Sequence, residues 1–371
     1  MNRYLEEALD LARRGAGRTS PNPAVGAVVV RDDIVVGRGF YTAAGVKHAE
    51  VLAIEEAGDR ARGATMYVTL EPHCFQGRTP PCTDAIAGAG IRRVVSAMED
   101  PNPEVRGRGF SRLRAAGIEV EIDSDYAHSA ASLNQAFIHF MRTGLPLVTV
   151  KAALTLDGKI AAPEDGISGC NPGWITSETA RRHVQTLRHA SDAILTGIGT
   201  VLADDCMLTD RTGEERARPL LRIVLDSQLR LPPESRMAAS CANDVLVVTT
   251  SSASDERRRK LESKGVRVVA LDDRDGRASL LAAIELLARE KYLSLMIEAG
   301  SRVNWTALGS GAADKIFFYY APKILGGLQS LPVAGGAGRR RRADAIRFRD
   351  VRVHAITANE FAVEAWLEKT G

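Results

Sequence analysis

The stretch TMYVTLEPHCFQGRTPPC, residues 65–82, decides the fold of the first half of this 371-residue chain. It begins as a strand over 65–70, which ends at Glu71-Pro72 and delivers His73 into a loop. Pro80-Pro81 closes that loop, and Cys82 begins a new helix. The segment thus combines a strand end, a loop with a nitrogen donor and a helix start with a sulfur donor. This combination predicts a metal site at the edge of a sheet.

The upstream motif His48-Ala49-Glu50 supplies the rest of this site. A helix is predicted over 48–57, so Glu50 lies at a helix start, where free N–H groups favour a developing anion. We expect the second helix start to lower the pKa of Cys82 and so make it a good ligand. A hydrolytic zinc needs three ligands, an open position for water and a base for the water's protons. The sequence therefore predicts zinc on His48, His73 and Cys82, with Glu50 as the catalytic group.

Composition indicates a globular protein of two domains. The chain is 45% hydrophobic and 26% charged, and its net charge of +3 gives no reason to expect a nucleic-acid partner. The 5 cysteines are irregularly spaced, which favours reduced thiols over a disulfide framework. Because no apolar stretch reaches the roughly 18 residues of a membrane span, and the N-terminus does not resemble a signal peptide, we expect a cytoplasmic protein with no membrane partner.

Both halves alternate strands with helices, which predicts an α/β fold in each. The expected strands of the first half are 25–30, 34–40, 65–70, 93–97 and 118–122, and its helices include 48–57, 83–89, 103–116 and 133–141. The break Thr143-Gly144-Leu145-Pro146 places the domain boundary, with domains 1–145 and 146–371.

For the second half we expect a mostly parallel sheet that ends in antiparallel edge strands. Its predicted strands are 147–153, 193–195, 220–225, 245–249, 266–270, 293–297, 314–320 and 361–367. Helices are predicted over 177–189, 254–264 and 279–291.

Several motifs of the first half resemble the deaminase half of the bifunctional deaminase/reductase family of riboflavin biosynthesis. They are PNPAVG (21–26), HAEV (48–51), TLEP (69–72), GRTPPC (77–82) and DPNP (100–103). The resemblance implies a cytidine-deaminase-like three-layer domain in which zinc lies on positions 48, 73 and 82 and Glu50 shuttles protons. It also implies that Asn22 helps to hold the pyrimidine.

The chain departs from that family inside the motif itself. The family has cysteine where this chain has His73, and histidine where it has Phe75. Three outcomes stay open: a His-His-Cys site, a shifted loop in which Cys74 is the ligand, and a deaminase half with lost or altered activity. Neighbouring side chains of an extended segment point to opposite faces, and His73 keeps the nine-residue spacing to Cys82, so the first outcome is favoured.

The second half has no G-x-G-x-x-G fingerprint, so no Rossmann cofactor site is predicted. Its motifs instead lie at predicted strand ends and helix starts, where ligands of open α/β sheets bind. They are KAALTLDG (151–158), WITS (174–177), GTVLADD (199–205), LTDR (208–211), LDS (225–227) and IEAG (297–300). Gly300-Ser301-Arg302 before a helix is a candidate phosphate cradle.

In this order the motifs are similar to the reductase half of the same family, whose fold is similar to dihydrofolate reductase. The resemblance implies NADPH contacts at Ala153, Trp174, Thr200, Asp204, Ser227 and Gly300. It implies contacts with a ribosyl phosphate substrate at Lys151, Arg188, Leu208, Arg211 and Glu298. Two departures are a longer segment before Trp174, with Gly169 to Gly173, and Cys206 in place of a proline.

Together the resemblances of the two halves imply a bifunctional enzyme acting on a small pyrimidine ribosyl phosphate. The first domain would deaminate it with Zn²⁺, and the second would reduce the ribosyl chain with NADPH by aligning the nicotinamide and excluding water. Two other interpretations remain: a reductase with an inactive or retuned deaminase half, and a zinc-stabilised nucleotide-binding regulatory module. The expected assembly is a homo-oligomer, either a dimer or a tetramer.

Overall fold

The computed structural model describes residues 2–45, 47–77, 79–165, 173–273 and 275–368. The chain divides into two compact units, one of Met1–Gly144 with Glu215–Arg218 and one of Leu145–Glu214 with Pro219–Gly371. The division lies one residue before the boundary expected from sequence. The short segment Glu215–Arg218, which sequence patterns did not single out, groups with the first unit.

The first unit is built on a five-stranded mixed sheet. Its strands are β1 (Gly26–Arg31), β2 (Ile34–Phe40), β3 (Thr65–Val68), β4 (Arg93–Ser96) and β5 (Glu119–Ile122). Its helices are α1 (Arg3–Arg13), α2 (Ala49–Ala57), α3 (Cys82–Gly88), α4 (Arg108–Ala115), α5 (Ala127–Leu133) and α6 (Gln135–Thr143). The strand order is β2-β1-β3-β4-β5, antiparallel over the first three strands and parallel over the last three.

Helices cover both faces of this sheet and make the three layers expected from sequence. One cluster of buried side chains joins α2, α3 and α4 to the sheet through Val29, Ala53, Met66, Ile86 and Leu113. A separate cluster joins α1 and α5 to the other face through Leu5, Leu9, Val95 and Ala130. Because side chains alternate along a strand, β1, β3 and β4 each contribute to both layers.

The close approach of α2 to β2 depends on two glycines. A Cβ at Gly39 would lie 2.1 Å from the carbonyl oxygen of Ala49, and one at Gly37 would lie 2.0 Å from that of Ala53. Any side chain at either position would push the helix off the strand. These glycines therefore set the depth of α2, whose first turn carries Glu50.

The second unit contains the larger sheet. Its strands are β6 (Leu147–Thr155), β7 (Lys159–Ala161), β8 (Ala193–Gly197), β9 (Leu221–Leu225), β10 (Val245–Thr249), β11 (Arg267–Ala270), β12 (Ser294–Ile297), β13 (Lys315–Ala321), β14 (Leu331–Pro332), β15 (Phe348–Ala355) and β16 (Phe361–Leu367). Its helices are α7 (Glu178–His189), α8 (Ile198–Asp204), α9 (Arg236–Ala239), α10 (Asp255–Glu262), α11 (Leu280–Arg289) and α12 (Ser301–Gly309).

Nine of these strands form one sheet in the order β11-β10-β9-β8-β12-β6-β13-β16-β15. The pairs from β11 to β13 are parallel, whereas β13–β16 and β16–β15 are antiparallel. The predicted parallel sheet with antiparallel edge strands is thus confirmed. Buried side chains fill both faces, with Val150, Leu195 and Ile297 on one and Ile194, Val224 and Met296 on the other.

Several elements differ from the prediction, including α4 and β15, and α5, β7 and β14 were also not predicted. The helix expected over 103–116 begins only at Arg108, because the side chains of Asp100 and Asn102 accept backbone N–H groups two residues ahead and hold the chain in turns. Strand β15 was not predicted, since most of its side chains are exposed and it lacks an apolar face. No helix in the described ranges is both long enough and apolar enough to cross a bilayer.

Candidate active site

Three elements of the first unit converge on one point. His48 is the residue that caps the N-terminus of α2, and Cys82 is the first residue of α3. His73 lies in the loop that follows β3, and its carbonyl oxygen accepts the backbone N–H of Thr83 at 3.2 Å. This hydrogen bond joins the loop to the first turn of α3, and it therefore fixes the position of His73 relative to Cys82.

The side chains of His48, His73 and Cys82 form a compact donor group. One ligand atom from each residue lies within 4.8 Å of the others, and His48 Nδ1 is 3.1 Å from Cys82 Sγ. The other ring nitrogen of His48, Nε2, is 3.3 Å from the hydroxyl of Thr79. The His48 and His73 rings are 5.4 Å apart and meet edge to face.

This donor group fits zinc. Two imidazoles and one thiol are ligands that zinc prefers, and three protein ligands leave a fourth position open. His73 Nδ1 is buried and makes no hydrogen bond to any residue that the structure describes. A buried ring nitrogen without a hydrogen bond is costly unless something else binds it, and a metal ion would do so.

Burial sets the electrostatics of the group. Glu50 is only 3% exposed, and burial raises its pKa although His48 opposes the shift. Burial likewise lowers the pKa of His48 and of His73, which favours the neutral imidazoles that bind metal. The expected lowering of the Cys82 pKa by the helix start is wrong for the metal-free group: burial, and then the nearby Glu50 carboxylate, raise it well above its ordinary value.

Cys74 lies outside the donor group. Its side chain is buried, and burial together with Glu71 raises its pKa. Its carbonyl oxygen accepts a hydrogen bond from Arg112 at 2.8 Å, so the backbone here is anchored to α4. Among the described residues the structure therefore brings together His73, not Cys74, with the other two donors.

Two aromatic residues border the group. Phe75 packs against His73 with ring centroids 4.2 Å apart, and it is 36% exposed. Tyr41 packs edge to face on His48 at 5.4 Å, and its hydroxyl accepts a hydrogen bond from the amide of Asn22 at 2.6 Å. Sequence patterns missed Tyr41, although its position directly after strand β2 was an available signal.

In the second unit, three charged residues from strand β6, helix α7 and the end of strand β12 meet. Glu298 follows β12, and its carboxylate binds Lys151 Nζ at 3.1 Å and Arg188 Nε at 2.7 Å. Burial opposes ionisation of Glu298, but the two cations outweigh it and hold its pKa at about 2. These three predicted substrate residues therefore form one buried ionic cluster. Sequence patterns missed its neighbour Tyr319, whose ring lies 5.8 Å from Lys151 Nζ.

The predicted cofactor residues follow neighbouring parallel strands. Ser227 comes after β9, Thr200 after β8 and Gly300 after β12, and a Cβ on Gly300 would lie 3.6 Å from Thr200 Oγ1. Since β9, β8 and β12 are adjacent, these residues share one edge of the sheet. Ala153 lies on β6, which is next in the same order.

The remaining predicted cofactor residues lie on less regular segments. Asp204 ends α8, and burial raises its pKa. Trp174 is 69% exposed, with the guanidinium of Arg181 4.6 Å from its ring centroid. Most of the longer segment noted before Trp174 lies outside the described residues. The thiol of Cys206 stays protonated, because burial and Asp204 raise its pKa to about 12.

Comparisons with known proteins cover both units of the chain. Residues 1–98 match the cytidine and deoxycytidylate deaminase zinc-binding region, and residues 146–359 match the RibD C-terminal domain. The riboflavin biosynthesis protein RibD of Bacillus amyloliquefaciens is 41% identical over 92% of this chain and 90% of its own length. The chain belongs to the RibD family. RibD of Escherichia coli is 40% identical over 93% of this chain and 94% of its own length.

Solved RibD structures share the whole fold. Acinetobacter baumannii RibD superposes with a TM-score of 0.86 at 36% identity, over 99% of this chain and 98% of that one. A deaminase/reductase from Thermotoga maritima gives a TM-score of 0.81 at 34% identity, also over 99% and 98%. The chain is thus a RibD enzyme of riboflavin biosynthesis, with a zinc-dependent deaminase domain and an NADPH-dependent reductase domain.

Proposed function

We propose that this chain catalyses two consecutive steps on one pyrimidine. The first is hydrolytic deamination of 2,5-diamino-6-ribosylamino-4(3H)-pyrimidinone 5′-phosphate, and the second is reduction of its ribosyl chain to ribityl with NADPH. The Thermotoga maritima relative is described as a diaminohydroxyphosphoribosylaminopyrimidine deaminase and 5-amino-6-(5-phosphoribosylamino)uracil reductase. The domains are 1–145 for deamination and 146–371 for reduction.

The clustering of His48, His73 and Cys82 beside a buried glutamate carries the first half of this proposal. These three residues would hold zinc, which when bound supplies a polarised water at neutral pH. Glu50 would accept a proton at its carboxylate and pass it to the leaving amino group. Burial raises the pKa of the Glu50 carboxyl, which favours its protonated form and so helps it to keep the proton between the two transfers.

Asn22 would hold the pyrimidine. Its amide is oriented by the hydroxyl of Tyr41, whose ring also packs on His48. Phe75, in the place of the family's histidine, offers an apolar ring instead of a hydrogen-bonding one. The deaminase would therefore bind its substrate with one polar contact fewer at this side of the site.

The ionic cluster of the second unit carries the other half. Lys151, Arg188 and Glu298 would orient the ribosyl chain, with Leu208 and Arg211 at the phosphate end. Ala153, Trp174, Thr200, Asp204, Ser227 and Gly300 would bind NADPH, which supplies the hydride. The protein's contribution would be alignment and exclusion of water, since the cofactor carries the chemistry.

A single substitution separates the two activities. Glu50→Gln should lower ammonia release from the diaminopyrimidine by about 100-fold to 10,000-fold, because it removes the proton-transfer group. NADPH oxidation on the deaminated substrate should be unchanged. Glu55→Gln is the matched control, since Glu55 lies on the same helix but is exposed and bonds Lys47.

Ammonia release from the wild-type chain is the decisive baseline. If wild type released none while reducing the deaminated substrate, the chain would be a reductase with an inactive or retuned deaminase domain. If neither activity were found, a zinc-stabilised nucleotide-binding module would be the better description. We also infer a cytoplasmic location and a homo-oligomeric assembly; sedimentation of the purified chain would test the latter.

A further inference from the structure

The loop 208–212 of the second unit is held by three side chains of a single helix, α7. Gln185 accepts the backbone N–H of Arg211 at 3.0 Å. Arg188 donates to the carbonyl oxygen of Thr209 at 2.9 Å. The third contact joins His189 Nδ1 to the carboxylate of Asp210 at 2.8 Å. Three consecutive loop residues are thus each fixed to the last turns of the helix.

The His189–Asp210 pair is almost fully removed from solvent. The two side chains are 10% and 7% exposed. A carboxylate only accepts, so His189 Nδ1 donates this bond. The other oxygen of Asp210 accepts the backbone N–H and the hydroxyl of Thr212, at 2.9 Å and 2.8 Å. The two carboxylate oxygens of Asp210 therefore fix the loop, one to helix α7 through His189 and the other to Thr212.

The same loop contains a residue in an uncommon conformation. Leu208 has a φ of 51°, in the left-handed region that a branched apolar side chain rarely adopts. Such a residue persists only where its surroundings hold it. Its side chain is buried, so the apolar core anchors the start of the loop. The contacts from α7 anchor the rest.

The loop presents one cation outward. The side chain of Arg211 is exposed, and it makes no ion pair with any residue in the described part of the chain. Arg188 lies on α7 three residues after Gln185 and next to His189. It also donates two hydrogen bonds to the carboxylate of Glu298, at 2.7 Å and 3.1 Å. Helix α7 thus links the buried ionic cluster directly to the loop that carries Arg211.

We propose that His189 and Asp210 are positioning residues for the reductase, which hold the loop so that Arg211 meets the 5′-phosphate of the substrate. This inference rests on the proposed phosphate role of Arg211. Neither His189 nor Asp210 touches the substrate in this arrangement. Substitution of either residue would leave the Glu298 cluster in place, but the Arg211 side chain would no longer be held in one orientation. Substrate binding would therefore weaken more than the hydride-transfer step slows.

The test compares two substrates of the full-length enzyme. They are 5-amino-6-(5-phosphoribosylamino)uracil and its dephosphorylated counterpart, each followed by NADPH oxidation. His189→Leu should raise the KM for the phosphorylated substrate about tenfold, because a charge-assisted hydrogen bond is lost. Its kcat should stay within about twofold of wild type. The dephosphorylated substrate should show no change, since it has no phosphate for Arg211.

Conservative rescue separates positioning from general damage. His189→Asn places an amide N–H near the position of Nδ1 and should restore the wild-type KM. Asp210→Ala should reproduce His189→Leu and serves in its place should that variant fail to fold. Thr186→Ala is the matched control on α7, because this exposed hydroxyl bonds only the carbonyl oxygen of His183 among the described groups. A wild-type rate of NADPH oxidation on the dephosphorylated substrate confirms that the reductase unit of each variant is folded.

Arg211→Ala distinguishes the two levels of inference. If Arg211→Ala raises the KM for the phosphorylated substrate but His189→Leu and Asp210→Ala do not, the positioning role is overturned and the phosphate role of Arg211 stands. If Arg211→Ala has no effect, the phosphate role itself is wrong. Equal rises for both substrates in His189→Leu would also overturn the inference, because they would show a loss unrelated to phosphate.

Discussion

At the scale of single residues, the neighbours His73 and Cys74 show how backbone geometry selects a ligand. Both could bind zinc on chemical grounds. In the structure His73 points toward His48 and Cys82, whereas Cys74 is buried beside Glu71. Alternation along an extended segment predicted this choice from sequence. A neutral imidazole at position 73, where the resemblance to the family implies a thiolate, would make a zinc site more positive by one charge.

Substitution of the two neighbours tests this choice. His73→Ala should reduce bound zinc from about one ion per chain to a small fraction, because only two protein ligands remain. Cys74→Ser should keep its zinc, and elemental analysis of the purified variants measures both. His73→Cys is the matched control, since it restores the family's thiolate at the same position. Zinc loss in Cys74→Ser but not in His73→Ala would mean that the shifted loop is correct.

Sequence predicted the grouping of His48, His73 and Cys82 better than it predicted their pKa values. The positions of His48, His73 and Cys82 followed from motif order and from helix and strand ends. The pKa of Cys82 did not, because the helix start is a weak local effect whereas burial beside Glu50 depends on packing from distant parts of the chain. Thr79 was missed for the same reason, since only the folded loop brings it to His48, whereas Tyr41 had its place directly after β2 as a signal.

At the scale of elements, apolar strands with at least one buried face were predicted, whereas the exposed strand β15 was not. Strand β2 and the parallel strands of the larger sheet agree with their apolar runs to within a few residues. The exposed edge strand β15 has no such run. The start of α4 was also missed, because it depends on side-chain hydrogen bonds in the turns before it rather than on periodicity.

The loop before α4 is held by one buried carboxylate. Glu71 is 3% exposed and accepts the backbone N–H groups of Asp100, Gly107 and Phe110, at 3.1, 2.9 and 3.2 Å. It stands two residues before His73, at the end of the strand that leads to the donor group. Glu71 is therefore an anchor between the metal loop and the segment that leads into α4.

Removing this anchor should destabilise the first unit. Glu71→Ala leaves three backbone N–H groups, two of them buried, without their acceptor, so we expect a loss of about 3–5 kcal/mol in the free energy of unfolding. Chemical denaturation measures the loss, and zinc content should fall with it. Glu104→Ala, at an exposed position of the same loop, should be nearly neutral. If the Glu71→Ala protein were as stable as wild type, the loop before α4 would keep its conformation without the Glu71 carboxylate.

At the scale of the whole molecule, each of the two units has its own large sheet, its own core and its own candidate site. The donor group and Glu50 belong entirely to the first unit, and the cluster around Glu298 belongs entirely to the second. No residue is common to both sites among those the structure describes. Fusion of the two enzymes that catalyse consecutive steps raises the local concentration of the intermediate. Fusion alone does not prevent the intermediate from diffusing away.

Separate sites predict that two defective chains complement each other. Glu50→Gln should block deamination only, and Glu298→Gln should block reduction only, because one amide oxygen cannot satisfy both Lys151 and Arg188. An equimolar mixture should convert the diaminopyrimidine to the ribityl product, while neither variant alone does. NADPH oxidation should begin after a lag that shortens as protein concentration rises, since the intermediate must diffuse between chains. No turnover by the mixture, with both single activities intact, would mean that the intermediate does not leave the chain that makes it.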